Sequence, residues 1–399
     1  APGAFIINKQ IGQVGFIEET EWSYSEGDDD RGWEDISPNP LDPSQPKRTQ
    51  DRGGISIRLF DARLDDGTRV LLKEYMGEGV SIGEREASIY EFLYDRCMVQ
   101  ARAGLQAAFP RQIGGLLGTM RPGRSFASPT FIAQWEAGLP NVLPPSPQGF
   151  WLIFAWEAPY AISNFPKAKQ ERSILDLDGS GAVRDRMQFV KVIIKRCLES
   201  IAWLHGQGIV HRSMSGSSLL LNTFDQRTPP PALKVSMVDL GFAATSLQLS
   251  EEDIKYAMRR GATSPMDAVP LLCRAEDLHA LGFVFMELLF SSGRPAPTAP
   301  SMFRRQEAEQ PSQVGPGTDM LAMRRLVEDI FNSKVGGDFR EYCLEEPSWR
   351  PAVALLDESD KAGWRMLQSL VECRDPSSEL AKDVSAASLL ESPWFEGLD

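Results

Sequence analysis

The chain has 399 residues, with 42 Lys and Arg against 55 Asp and Glu, and a net charge of −13 at neutral pH. That balance argues against a nucleic-acid binder, whose phosphate contacts need a basic surface, and against a polybasic membrane anchor. The hydrophobic fraction of 42% is that of a globular chain, long enough for two lobes.

The five cysteines (Cys97, Cys197, Cys273, Cys343, Cys373) lie far apart with no C-x-x-C spacing. They read as reduced thiols and favour an intracellular reducing compartment. The most apolar run, Gly282 to Phe290, falls short of the ~20 residues that span a bilayer. The chain starts at Ala1 rather than Met, as expected of a processed product that has lost a targeting peptide. Together these features favour a plastid stroma or an organelle-membrane-associated complex over the cytosol.

Residues 1–50 are acidic, dotted with prolines and without a clear period. They are expected to form a partly irregular arm. Trp22 and Trp33 would be its anchors on a protein partner, because Trp is enriched at binding hot spots. From Gly54 the pattern turns strand-like. "ISIRLFDARL" and "RVLLKEY" read as two strands joined by the turn "DDGT". "SIGEREASIYEFLYDRCMVQARAGL" has helical spacing, with Ile82, Ile89, Phe92, Leu93 and Met98 on one apolar face. A loop region follows and ends in the Pro-rich Leu139–Gln148 stretch. "FWLIFAWE" is then a compact apolar strand.

After Pro159 the pattern is mainly helical. "RDRMQFVKVIIKRCLESIAWLHGQG" is a long amphipathic helix stopped by glycine. "SSLLLN" and "KVSMVDLGF" are short strands. "AEDLHALGFVFMELLFSSG" is apolar nearly all round and predicts a buried helix. "AASLLESPWF" closes the chain with a short helix. "DLDGSG" (Asp176 to Gly181) begins like a Ca²⁺ loop, but its twelfth position is Met187 rather than a bidentate Glu, so that reading fails.

These segments, in this order, resemble the protein kinase family. "VLLK" is similar to the V-A-I-K strand and makes Lys73 the phosphate-binding lysine. "EREASIYEFL" is similar to the helix that supplies its carboxylate partner, with Glu86 the best fit and Glu84 and Glu91 as rivals. "LIFAWEAP" resembles the strand and hinge, with Phe154 as gatekeeper and Ala155 to Ala158 as hinge. "LHGQGIVHRS" resembles the approach to the catalytic loop, "VDLG" resembles D-F-G, and the buried helix resembles the one that opens with an Asp, here Asp277. The resemblance covers residues 54–396. It implies an α+β, bilobal protein kinase-like fold: an arm at 1–50, a small β-rich N-lobe and hinge at 51–158, and a mostly helical C-lobe at 159–399.

Phosphoryl transfer needs a Lys on the phosphates, a Glu orienting it, Mg²⁺ held by an Asp and an Asn, and an Asp that accepts the hydroxyl proton. By the resemblance, Lys73, Glu86 and Asp239 are the conditional ATP residues, with Asp239 the conditional Mg²⁺ ligand. The family spacing H-R-D-x-x-x-x-N puts the base position at Ser213 and the second Mg²⁺ ligand at Ser218. The Lys that often follows the base by two residues is Ser215. A hydroxyl is not basic near neutral pH, so no catalytic residue is expected there. Two further departures weaken a nucleotide site. The small Ala of V-A-I-K is Leu71, which would intrude on the base pocket. The only glycines just before the first strand are Gly53 and Gly54, and the Gly-bearing stretch Ile11 to Phe16 lies more than fifty residues before Lys73.

What is retained is packing: His211, Leu240 and Tyr90 match a hydrophobic stack, and Asp277 matches a buried anchor of the catalytic loop. The resulting expectation is a catalytically inactive kinase-like protein, a pseudokinase. It would require no cofactor and act on protein partners as a scaffold, regulatory or assembly subunit, without nucleic acid and without a transmembrane segment. The alternative is an atypical active Ser/Thr protein kinase with weak ATP-dependent transfer.

Overall fold

The computed structural model describes residues 5–13, 56–77, 79–102, 115–121, 123, 126, 128–140, 142–165, 180–292, 339–374, 378 and 383–398. Its contacts divide the chain into two units. The first comprises residues 1–157 with 209–213 and 238–249; the second comprises 158–208, 214–237 and 250–399.

The first unit is built on a five-stranded antiparallel sheet in the order β1-β2-β3-β5-β4. The strands are β1 (Phe5–Gln13), β2 (Ser56–Leu64), β3 (Arg69–Met76), β4 (Leu116–Met120) and β5 (Phe150–Ala155). The predicted β2–β3 hairpin forms. Gly67 takes φ 84, which a side chain would strain, and the Asp66 carboxylate accepts the Thr68 amide hydrogen at 2.8 Å. β1 was not expected. Its residues were assigned to the arm, but they pair along the free side of β2, from Phe5 opposite Leu64 to Gln13 opposite Arg58. Two register shifts, between Ile7 and Lys9 and between Gln10 and Gly12, break the period-2 pattern and hide the strand from a reading by alternation.

Alternation along the strands sends Phe60, Leu72, Trp151 and Ile153 to one face and Leu71, Lys73, Tyr75 and Phe154 to the other. Helix α1 (Gly79–Arg102) covers the second face. Its buried stripe runs through Glu86, Tyr90, Leu93 and Cys97, so Met98, expected on the apolar face, is instead exposed. The i+4 step from Leu93 lands on Cys97, and Met98 lies about 100° further round.

The first face is covered by a helix read from sequence as loop, α2 (Pro129–Gly138). Ser128 caps it by accepting the Phe131 amide hydrogen, and Pro129 opens it. Trp135 of α2 meets Phe60 edge to face, and Phe60 stacks on Trp151, forming a core with Val70, Leu72 and Ile153. The Pro-rich stretch is tied to the same face. Arg58 and Glu74 form a buried ion pair on β2 and β3. Arg58 donates to the carbonyls of Leu143 and Pro144, and Glu74 accepts the Ser146 amide hydrogen at 2.8 Å. A two-stranded ribbon, β7 (Ile209–Val210) with β10 (Ala244–Thr245), completes this unit.

The second unit is mainly helical. Its central pair is α3 (Ser180–Gly206) and, beyond α4 (Glu251–Arg259) and α5 (Ala268–Leu272), α6 (His279–Ser292). α3 ends just before Gly208, which is left-handed at φ 74. α6 is buried from Ala280 through Phe290, matching its uniform apolarity, and is preceded by a π-helical turn, Cys273–Leu278. A small sheet orders β6 (Tyr160–Ala161), β8 (Leu219–Leu221) and β9 (Val235–Met237) side by side. Helices α7 (Phe339–Glu345), α8 (Arg350–Leu356), α9 (Glu358–Glu372) and α10 (Ala386–Leu390) close the unit. Trp394 then buries its ring and donates to the Leu355 carbonyl at 2.9 Å. Met187 of the rejected Ca²⁺ loop is a buried residue of α3.

Trp22, Trp33, Gly53 and Gly54 lie outside the described residues. No helix among the described residues is long and apolar enough to cross a membrane. All five cysteines are unbridged and buried.

Candidate functional site

The first unit brings Lys73, Glu86 and Asp239 together. Lys73 projects from β3, Glu86 from the second turn of α1, and Asp239 from the loop after β9. The Lys73 ammonium lies 3.1 Å from both carboxylate oxygens of Glu86 and donates a short bond to Asp239 Oδ1. All three are buried, at 2%, 0% and 5% exposure. Burial alone would lower the Lys73 pKa. Asp239, and then Glu86, outweigh it and raise the pKa above the ordinary value, so the ammonium keeps its charge. Asp239 holds a left-handed conformation (φ 67), uncommon for a residue with a side chain. Gly241 follows, where a Cβ would come within 2.5 Å of Ile82 in α1. Only glycine lets this turn approach the helix so closely.

The rival carboxylates are elsewhere. Glu84 pairs with Arg121 at the surface, and Glu91 is exposed. Phe154 is buried. Its ring lies 5.5 Å from that of Tyr90, and the Lys73 ammonium sits 5.4 Å from its centre. Leu71 is buried opposite Phe154, on the same face as Lys73. At the hinge, Ala155 ends β5, and Arg69 lies over the Trp156 ring at 4.1 Å.

Ser213 shares a small pocket with Ile57, Tyr75, Ile82, Glu86, Asp239, Gly241 and Phe242. The preceding His211 is fully buried, with Nε2 2.9 Å from the Val238 carbonyl and Nδ1 3.2 Å from the Ser213 amide nitrogen. A carbonyl can only accept and an amide only donate, so these partners select neutral histidine protonated on Nε2. Leu240 and Tyr90, its expected stacking partners, are also fully buried.

Ser215 and Ser218 belong to the second unit and bond to each other. The Ser218 hydroxyl accepts the Ser215 amide hydrogen at 2.8 Å and donates to the Ser215 carbonyl at 2.9 Å. Gly216 sits so close to Ser163 that a Cβ would lie 3.2 Å from its amide nitrogen. Asn222 is engaged with Ala232 and Lys234. Asp277 is fully buried, with Oδ2 3.0 Å from His205 Nε2.

Two features escaped sequence reading. The glycines of Ile11 to Phe16 were set aside as too far from Lys73. The sheet register places Gly12 opposite Leu59 and Leu59 opposite Lys73, so the end of β1 is level with the lysine. The long β1–β2 insertion conceals this, and Val14 to Phe16 lie outside the described residues. The second is Tyr75, whose hydroxyl donates to Glu86. The signal was present, since Tyr75 follows Lys73 by two and so shares its face.

No family model matches the chain. It is 24% identical over 266 residues, 62% of its length, to the chloroplastic serine/threonine-protein kinase STN8 of Arabidopsis thaliana, and it spans 49% of that kinase. Its fold aligns with the crystal structure of an Stt7 homologue from Micromonas algae soaked with ATP. That alignment has a TM-score of 0.51 at 18% identity, over 85% of this chain and 88% of the other. The fold is protein kinase-like. In it the strand of Lys73, the helix of Glu86 and the turn of Asp239 meet, while Ser213, Ser215 and Ser218 carry hydroxyls.

Proposed function

We propose that this kinase-like protein does not transfer phosphate and works by holding other proteins, as a scaffold, regulatory or assembly subunit. The observation that carries the reading is Ser213. It lines a small pocket with Glu86 and Asp239, at the position that by the resemblance would hold the proton acceptor, and a hydroxyl is not basic near neutral pH. A positioned general base contributes roughly 10²–10⁴-fold.

The residues present fit Mg-ATP poorly. The second metal-ligand position, Ser218, directs its hydroxyl into its own loop. Leu71, where by the resemblance a small residue would admit the adenine, is buried. Were the nucleotide held, Lys73 would meet its phosphates and Asp239 its Mg²⁺. The buried Lys73–Glu86 pair favours a second reading, a weakly active Ser/Thr kinase, in keeping with the name of its Arabidopsis relative. The chloroplastic relative and five unbridged thiols support residence in a reducing plastid compartment, and the net charge of −13 supports protein partners over nucleic acid.

Thermal unfolding with and without Mg-ATP tests the reading. A ligand at 100 times its Kd stabilises by about 2.7 kcal/mol. The proposal predicts an unchanged Tm at millimolar Mg-ATP; a rise that Asp239→Asn abolishes would favour the active alternative.

A further inference from the structure

Tyr75 is 1% exposed, with its ring under the first turns of α1. A Cβ at Gly83 would lie 2.6 Å from this ring and 2.9 Å from that of Phe150. No side chain fits there without lifting the helix or displacing the rings, so Gly83 sets how deeply α1 seats on the sheet. Less than one turn further along, the Tyr75 hydroxyl donates to Glu86 Oε2.

Filling the space under α1 does not call for a hydroxyl. Phenylalanine would occupy the same volume and bring no polar atom to satisfy. The hydroxyl acts on Glu86. One ammonium, Lys73, is divided between two buried carboxylates, and a buried carboxylate that loses its donor is strongly destabilised. Tyr75 supplies Glu86 with a second donor that is neutral and sits on a different side chain. Burial, and then the charge of Glu86, push the Tyr75 hydroxyl well above its ordinary pKa, so it keeps its proton at physiological pH.

We propose that Tyr75 is a positioning residue: its hydroxyl fixes Glu86, and through it α1, without relying on Lys73 or on a nucleotide. The placement of α1 is then constitutive, so a partner meets the outer side of a helix already seated on the sheet. The proposal stands whether or not the chain transfers phosphate.

Amide hydrogen exchange without nucleotide tests it, on the parent, Tyr75→Phe, Lys73→Met and the double variant. Phe keeps the ring, so a role in packing alone predicts no change. A hydrogen bond to a charged group is worth about tenfold in a local opening equilibrium. Tyr75→Phe should therefore speed exchange in α1, from Glu86 to Leu93, by about tenfold and leave α3 unchanged. Adding Lys73→Met to Tyr75→Phe should enlarge the effect, because Glu86 then has lost both donors. Equal α1 rates with Tyr and Phe at position 75 overturn the proposal. Should the double variant not fold, Tyr75→Phe against the parent decides on the same two outcomes.

Discussion

At Ser218 the hydroxyl accepts from the Ser215 amide and donates to the Ser215 carbonyl, which closes the loop on itself. A buried hydrogen bond of this kind contributes roughly 1 kcal/mol, and orphaning its partner costs about 1–3 kcal/mol. Ser218→Ala should therefore lower the urea midpoint by an amount corresponding to about 1–2 kcal/mol with no change in m-value; an unchanged midpoint would show that the hydroxyl does not hold the loop. That Lys73, Glu86 and Asp239 would meet was readable from short motifs in a familiar order, although the 13 residues from Lys73 to Glu86 are fewer than the family commonly has, and the fold brings the three into bonding distance. Tyr75 was not, because no motif marks it. Its role comes from a helix resting on the strand at Gly83, a contact visible only once both elements are placed.

Among the elements, the insertion between β4 and β5 departs most from the sequence reading. α2 seals the sheet face opposite α1, and the segment that follows is fastened by a buried ion pair whose remaining hydrogen bonds go to its backbone. Breaking a buried pair by removing one partner costs about 3–5 kcal/mol. Arg58→Met should lower stability by that order and expose the peptide bonds around Leu143 to protease first; a loss below about 1 kcal/mol, or cleavage unchanged at that segment, would mean that the pair is not the fastener. The cap on α2 was readable at Ser128–Pro129. The helix is too short, at 10 residues ending in Ala137 and Gly138, for its period to stand out against the prolines that follow. β1 was hidden for a different reason: its bulges interrupt alternation, and a long insertion separates it from its partner.

Across the whole molecule, the packing framework of a kinase-like fold is kept while the groups that carry charge and protons in the catalytic loop are not. His211, Leu240 and Asp277 are fully buried, whereas Ser213, Ser215 and Ser218 carry hydroxyls at the positions that the resemblance assigns to a base, a lysine and a metal ligand. Order and spacing of motifs were enough to identify the fold, because the long buried helices and the hairpin are strongly patterned. Whether a degraded site is inert is not written in spacing. It depends on what the remaining groups are bonded to, and here the Ser218 hydroxyl is held by its own turn. The most direct measurement is transfer of labelled phosphate from Mg-ATP to itself and to a general acceptor protein, comparing the parent with Asp239→Asn. The account predicts label at the level of the enzyme-free blank for both; incorporation by the parent that Asp239→Asn abolishes would contradict it.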